Sequence, residues 1–314
     1  MKRLLAAGLC LVAPAVAGCG EDQGGEADNA DLAELAAYLP QEDVAIMAAV
    51  DVAAIREDLG LPDDADAAPT ETDLQAFDLN DPELQLIHEV SLPFPVVLRA
   101  YSENFDAEES SPLDGALIDA AAGGVAGVEL LSVVHTAEPW DEIAGKLEDA
   151  GYKQADDIYV AGPDTPDAAA GVVADAGDGV VVFAAESEQA EAVLARADEA
   201  ADPSGMAAAL DVIEEPARAA STVPAGDDKC VKAVVAGESG DGATGTLAFL
   251  ITGEDPDPER FDAGALDELD VGEPTVEDQA LLVPLETPDP PPEGRPLLSL
   301  LISDIAPLTA YECP

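Results

Sequence analysis

The stretch VVADAGDGVVVF, Val172–Phe183, decides the fold. Gly177, Asp178 and Gly179 stand between two β-branched runs, and such residues supply the positive φ angles a tight hairpin turn needs. A second hairpin joins CVKAVVA (230–236) to GTLAFLIT (245–252) through the Gly-rich loop GESGDGAT. Hairpins pair their strands antiparallel. The expected fold class is therefore α+β, a mostly antiparallel sheet with helices packed on one face.

Outward from the hairpins, strand-then-helix units repeat in pattern though not in residue identity. VAIMAAV (44–50) reads as a buried strand, and Asp51 caps a helix with Val52, Ile55 and Leu59 on one face before Gly60. VELLSVVHT (128–136) leads to a helix with Pro139 at its first position and Trp140, Ile143, Ala144 and Leu147 on one face, ended by Gly151. GVVVFAA (179–185) precedes Ala190, Val193, Leu194 and Ala197 at helical spacing, and GTLAFLIT leads into PERFDAGALDEL (258–269). Ahead of all of these, Asp31 and Glu34 open a helix carrying Leu32, Leu35, Ala36 and Leu39, which Pro40 stops.

Residues 61–83 and 102–112 read as acidic surface loops, 287–296 as a stiff Pro-rich connector, and 297–305 as an apolar run too short to cross a membrane. The expected organisation is a signal peptide over 1–18, a flexible acidic tether over 19–30, an N-terminal α/β region over 31–127 and a C-terminal α+β region over 128–314. A continuous domain over 31–314 is the alternative.

Lys2 and Arg3 followed by an apolar run from Leu4 to Val16 read as an export signal. Two cleavage sites compete. Ala15-Val16-Ala17 fits ordinary cleavage before Gly18. Val16-Ala17-Gly18-Cys19 resembles the lipobox of bacterial lipoproteins, and that resemblance implies that Cys19 becomes the lipidated first residue of a membrane-anchored, outward-facing chain. Cysteine arithmetic favours the lipobox. Of Cys10, Cys19, Cys230 and Cys313, the first is lost with the signal and the second is acylated, which leaves Cys230 and Cys313 for one disulfide.

With Lys2 and Arg3 removed from the 12 basic residues, 10 remain against 67 acids, a mature net charge of −57. That balance argues against a nucleic-acid partner and against docking on anionic lipid, so the membrane link is expected to be covalent. The acidity suits a solvated surface in a salty or calcium-bearing exterior, with metal binding or capture of a cationic ligand as the sharper alternatives. Hydrophobic residues make up 48 % of the chain but aromatics only 4 %, so Ala, Val and Leu must fill the core.

No catalytic set emerges. His88-Glu89 begins like the zinc motif His-Glu-x-x-His, but Leu92 stands where the second His belongs. His135, in a strand, is expected to pair with a carboxylate. Around Ser239, GESGD departs from a nucleophile elbow at Asp241, and Ala243 replaces the lysine of a phosphate loop. No cofactor is implied, and calcium is the one candidate: Asp255, Asp257, Glu259 and Asp262 alternate oxygen ligands across a turn, without the glycine and glutamate spacing of an EF-hand. The function expected is a non-enzymatic binding or interaction module, the alternatives being an extracellular hydrolase using acidic residues or a calcium-dependent adhesive or stabilising module.

Overall fold

The computed structural model describes residues 32–39, 46–62, 112–126, 129–162, 165, 170–198, 205–213, 216–222, 230–239, 243–253, 255–266, 269–286, 310, 311 and 313. Cys19, His88, the tether and the stretches 63–111 and 287–309 lie outside them.

The strands are β1 (Ile46–Asp51), β2 (Ile118–Ala126), β3 (Glu129–Thr136), β4 (Lys153–Ala155), β5 (Ile158–Val160), β6 (Val172–Gly177), β7 (Val180–Ala184), β8 (Arg218–Thr222), β9 (Val231–Glu238), β10 (Thr244–Ile251), β11 (Asp270–Val271), β12 (Thr275–Glu277) and β13 (Ala280–Glu286). They form one sheet in the order β11-β13-β10-β9-β8-β1-β2-β3-β7-β6-β5-β4, with β12 also on β13. Every pairing is antiparallel. Local chemistry explains the β6–β7 turn: Asp178 and Gly179 take φ of 50° and 78°, the left-handed pair of a type I′ hairpin. A Cβ on Gly179 would sit 2.8 Å from the Thr136 carbonyl oxygen, so only glycine lets β7 close on β3 here.

Among the described residues five helices flank the sheet: α1 (Leu32–Ala37), α2 (Val52–Asp58), α3 (Trp140–Asp149), α4 (Ser187–Asp198) and α5 (Gly205–Leu210). They cover both faces, which corrects the expectation of one. Met47 and Ala49 of β1 enter the core that holds α1, α4 and α5, while Ala48 and Val50 enter the core that holds α2 and α3. The cause is visible in β7, where Val180, Val181, Val182, Phe183 and Ala184 are buried in succession. A strand with one wet face would alternate apolar and polar side chains. None of the helices among the described residues is long and apolar enough to cross a membrane.

Strand-then-helix order occurs at β1–α2, β3–α3 and β7–α4, whereas β10 runs into the 3₁₀ turns Pro258–Arg260 and Ala263–Leu266. These units do not occupy equivalent places, since α2 and α3 lie on one face and α4 on the other. A larger correspondence is present instead. On either side of the β1–β8 seam a short helix leads into three meandering strands, and a later hairpin strand returns to the third. The series α1, β1, β2, β3, β7 matches α5, β8, β9, β10, β13. The β6–β7 and β12–β13 turns share a positive φ at Asp178 and Asp278, 50° and 49°. The division at 127/128 falls between β2 and β3, which pair along nearly their whole length.

β2, IDAAAGGVA, lies near the middle of this sheet, paired with β1 and β3, although no pattern in the sequence announces it. Cys230 and Cys313 form a disulfide that closes 83 residues. It holds Ala310 and Tyr311 against a third core, where Phe249 meets the rings of Phe261 and Tyr311.

Candidate ligand-binding cleft

A cleft of about 320 Å³ opens where β3 passes into α3, facing the β6–β7 hairpin. Its lining comes from the β3–α3 segment, with Thr136, Glu138, Trp140 and Ile143, and from the hairpin, with Asp175, Asp178 and Val181. Local rules place each of them. Pro139 is the N-cap of α3, with φ fixed near −61°, so Trp140 is the first helical residue and Pro139 stands one position earlier than its expected place. Asp141 and Glu142 lie in the first turn and Lys146 in the last, which complements the helix dipole. Ile143 and Leu147 are fully buried, and the half-buried Trp140 meets Tyr159 edge to face, 5.9 Å between centroids.

Glu138 is the chemically unusual member, because its side chain is 2 % exposed. Burying a carboxylate costs several kcal/mol unless it is paired and hydrogen-bonded. Both conditions are met. Lys146 Nζ lies 2.7 Å from Oε1, and the Asp114 backbone N–H donates to Oε2 at 2.9 Å. Thr136 Oγ1 accepts from the Glu138 N–H and donates to the Leu117 carbonyl, so the backbone at the cleft rim is held too. Opposite, the Gly177 N–H donates to Asp175 Oδ1 at 2.8 Å, which orients that carboxylate on its hairpin.

A second polar group lies at the same end of the sheet. His135 Nδ1 lies 3.3 Å from Asp119 Oδ2, outside hydrogen-bond geometry, so the expected carboxylate partner is Asp119. Asp51 caps α2 as expected by accepting the Ala54 N–H at 2.8 Å. Burial raises the Asp51 carboxyl above its ordinary value of 3.8, backbone N–H groups of Ala54 and Ala53 oppose the rise, and the charge of Asp119 adds to it. The folded state therefore binds this proton more tightly than the unfolded chain. The resulting penalty is complete above the folded pKa and vanishes as the pH falls through it towards 3.8. Asp51→Asn keeps a cap acceptor and is expected to flatten this part of the stability profile, whereas Asp51→Ala loses the cap and costs about 1 kcal/mol. Urea midpoints of both variants between about pH 4 and 7 check the two effects.

The calcium candidates have local work. Asp257 accepts from the Glu259 N–H and lies 3.6 Å from Arg260 Nε, and Asp262 accepts from the Gly264 N–H, while Asp255 and Glu259 are exposed. Among the described residues no three His, Cys, Asp or Glu side chains gather in a metal-binding group. Ser239 belongs to the β9–β10 hairpin, where its hydroxyl donates to the Thr244 carbonyl at 3.0 Å.

The sequence places Trp140 on a helix and Asp178 in a turn, while Glu138 and Asp175 belong to no motif in it. The signal that marks the site is Glu138, an acid placed between a buried strand and a helix-starting proline.

No family model matches the chain, and no curated protein does. Among solved structures it is similar in shape to TP0453 in crystal forms III, I and IV, at 10 % identity in each and TM-scores of 0.38, 0.39 and 0.38. The matches cover 84, 90 and 84 % of this chain and 94, 100 and 93 % of theirs. At that distance no property of TP0453 transfers to this chain.

Proposed function

We propose that this chain is an exported, lipid-anchored protein of the cell envelope whose folded part faces outward as a non-enzymatic binding module. The observation that carries the reading is the Cys230–Cys313 disulfide. It matches an oxidising compartment, and once Cys10 departs with the signal it leaves Cys19 as the single cysteine available for acylation. The cleft beside Glu138 gives the module a concave surface with convergent polar groups, the usual form of a small-ligand site.

The hydrolase alternative has one observation in its favour, the raised carboxyl of Asp51 near Asp119 and His135. Asp51 already spends one oxygen on the α2 cap, so binding is the better-supported reading. Fractionating cells that make the full chain or its Cys19→Ala variant tests the anchor. The parent is expected in the membrane fraction and the variant in the soluble fraction. A variant that stays with the membrane sinks the proposal.

A further inference from the structure

We propose that the Cys230–Cys313 disulfide is a reducible latch: a dithiol opens it, and Ala310 and Tyr311 lift off the third core while the sheet beneath stays paired. The inference goes beyond the binding-module reading and does not depend on the anchor.

The third core lies on the same face of the sheet as α2 and α3. Ala220 of β8 belongs to the core that holds those helices, and it pairs with Ala236 of β9, which belongs to the third core. The two halves cover that face differently. α2 and α3 follow directly from β1 and β3, so local chain covers the first half. Over the second half the described cover comes from the 3₁₀ turns, with Phe261 and Leu266, and from Ala310 and Tyr311. Those last two are brought there from the far end of a loop closed over 83 residues.

What holds this cover is separable from what holds the sheet. β8, β9, β10 and β13 pair through antiparallel ladders that do not involve Ala310, Tyr311 or Cys313. Tyr311 instead bridges to Phe261, accepts the Asp257 N–H on its hydroxyl and lays its ring 6.0 Å from that of Phe249, while Ala310 accepts the Asp262 N–H. The disulfide supplies the proximity that lets these contacts form. Without it they must offset the entropy of ordering a chain end.

Access and leaving-group chemistry suit exchange at this bond. Cys313 is exposed and Cys230 half-buried, and exposed disulfides are the labile ones. The Cys230 backbone N–H donates to Cys313 Sγ at 3.1 Å, which stabilises negative charge on that sulfur. A thiolate of the dithiol therefore attacks Cys230 Sγ, the bond to Cys313 breaks, and Cys313 leaves as a thiolate. The second thiol of the reagent then displaces Cys230 from the mixed disulfide and closes a cyclic disulfide. The dithiol is oxidised by the same electron pair that reduces the protein, and its protons pass through water to the freed cysteines.

The experiment uses the full chain carrying Cys10→Ala and Cys19→Ala, in which Cys230 and Cys313 are the remaining cysteines. Amide exchange is read residue by residue before and after dithiothreitol, with thiol titration confirming reduction. The Asp257 and Asp262 N–H groups, which Tyr311 and Ala310 accept, are expected to lose their protection. Amides in the ladders of β9, β10 and β13 are expected to keep theirs, and emission of Trp140, the sole tryptophan and a residue of α3, is expected to stay unchanged. Reoxidation is expected to restore the lost protection. Cys313→Ser in the same background is expected to exchange like the reduced chain and to ignore the dithiol, which separates the latch from any other action of the reagent. Protection retained at Asp257 and Asp262 after reduction, protection lost throughout the sheet, thiols that appear only in denaturant, or a Cys313→Ser chain that exchanges like the oxidised parent would each overturn the proposal. Membrane fractionation with Cys19→Ala scores the anchor independently, so failure of the latch leaves the anchoring result standing.

Discussion

Arg218→Ala is expected to destabilise the fold by about 3–5 kcal/mol, because it takes the paired positive charge away from a buried carboxylate. Arg218 and Glu238 are directly opposite each other in β8 and β9, beside the seam between the two halves. Their side chains are 5 % and 0 % exposed, and Arg218 Nη2 contacts Glu238 Oε1. The cost lies in keeping the Glu238 carboxylate desolvated without the Arg218 charge, and not in the net worth of the pair. Replacing both partners, Arg218→Met with Glu238→Leu, is therefore expected to recover most of the loss. Urea unfolding at fixed ionic strength measures both, and a loss under about 1 kcal/mol for Arg218→Ala would show that water reaches Glu238.

Cys230→Ser is the second large effect. On the chain-entropy model, releasing a loop closed over 83 residues removes about 4–5 kcal/mol. Part of the loss has a structural address. Tyr311 bridges to Phe261, the Asp262 N–H donates to the Ala310 carbonyl at 2.7 Å, and the Asp257 N–H donates to the Tyr311 hydroxyl at 3.1 Å. All three contacts tie this end of the chain to the third core, and all depend on Cys313 holding it there. At about 2–4 °C per kcal/mol for a domain of this size, Tm is expected to fall by roughly 8–20 °C, and reductant added to the parent should match the variant. Salt must be held constant, since the 67 acids repel one another less as screening rises. An unchanged Tm would mean that the 230–313 link does not constrain the unfolded chain.

What the sequence revealed and what it hid follow from residue chemistry. The β6–β7 hairpin was legible because Gly177, Asp178 and Gly179 tolerate a backbone that most residues do not. The α2 start was legible because Asp51 caps it, and the Ile143 and Leu147 face because helical periodicity marks buried positions. β2 was not legible. Its Ala-Ala-Ala-Gly-Gly run has poor β propensity and no alternation, and it becomes a strand because β1 and β3 supply its hydrogen bonds on both sides. The second layer of helices was hidden for a related reason. Small residues such as Ala48, Ala121 and Ala220 line that face, and they read as neutral until a helix lies on them. The correspondence between halves was hidden because topology and turn geometry carry it, not residue identity. The cleft was hidden because Glu138 and Asp175 lie far apart in sequence and each answers to a local rule.

The proposed anchor makes Cys19 an acylated first residue and leaves Cys230 and Cys313 to each other as a disulfide. The intact mass of the chain recovered from membranes, with and without alkylation of free thiols, tests both in one measurement. The prediction is a chain that starts at Cys19, carries acyl chains and takes up no alkylating reagent. A chain that starts at Gly18 without acyl mass and with one alkylated thiol would contradict it.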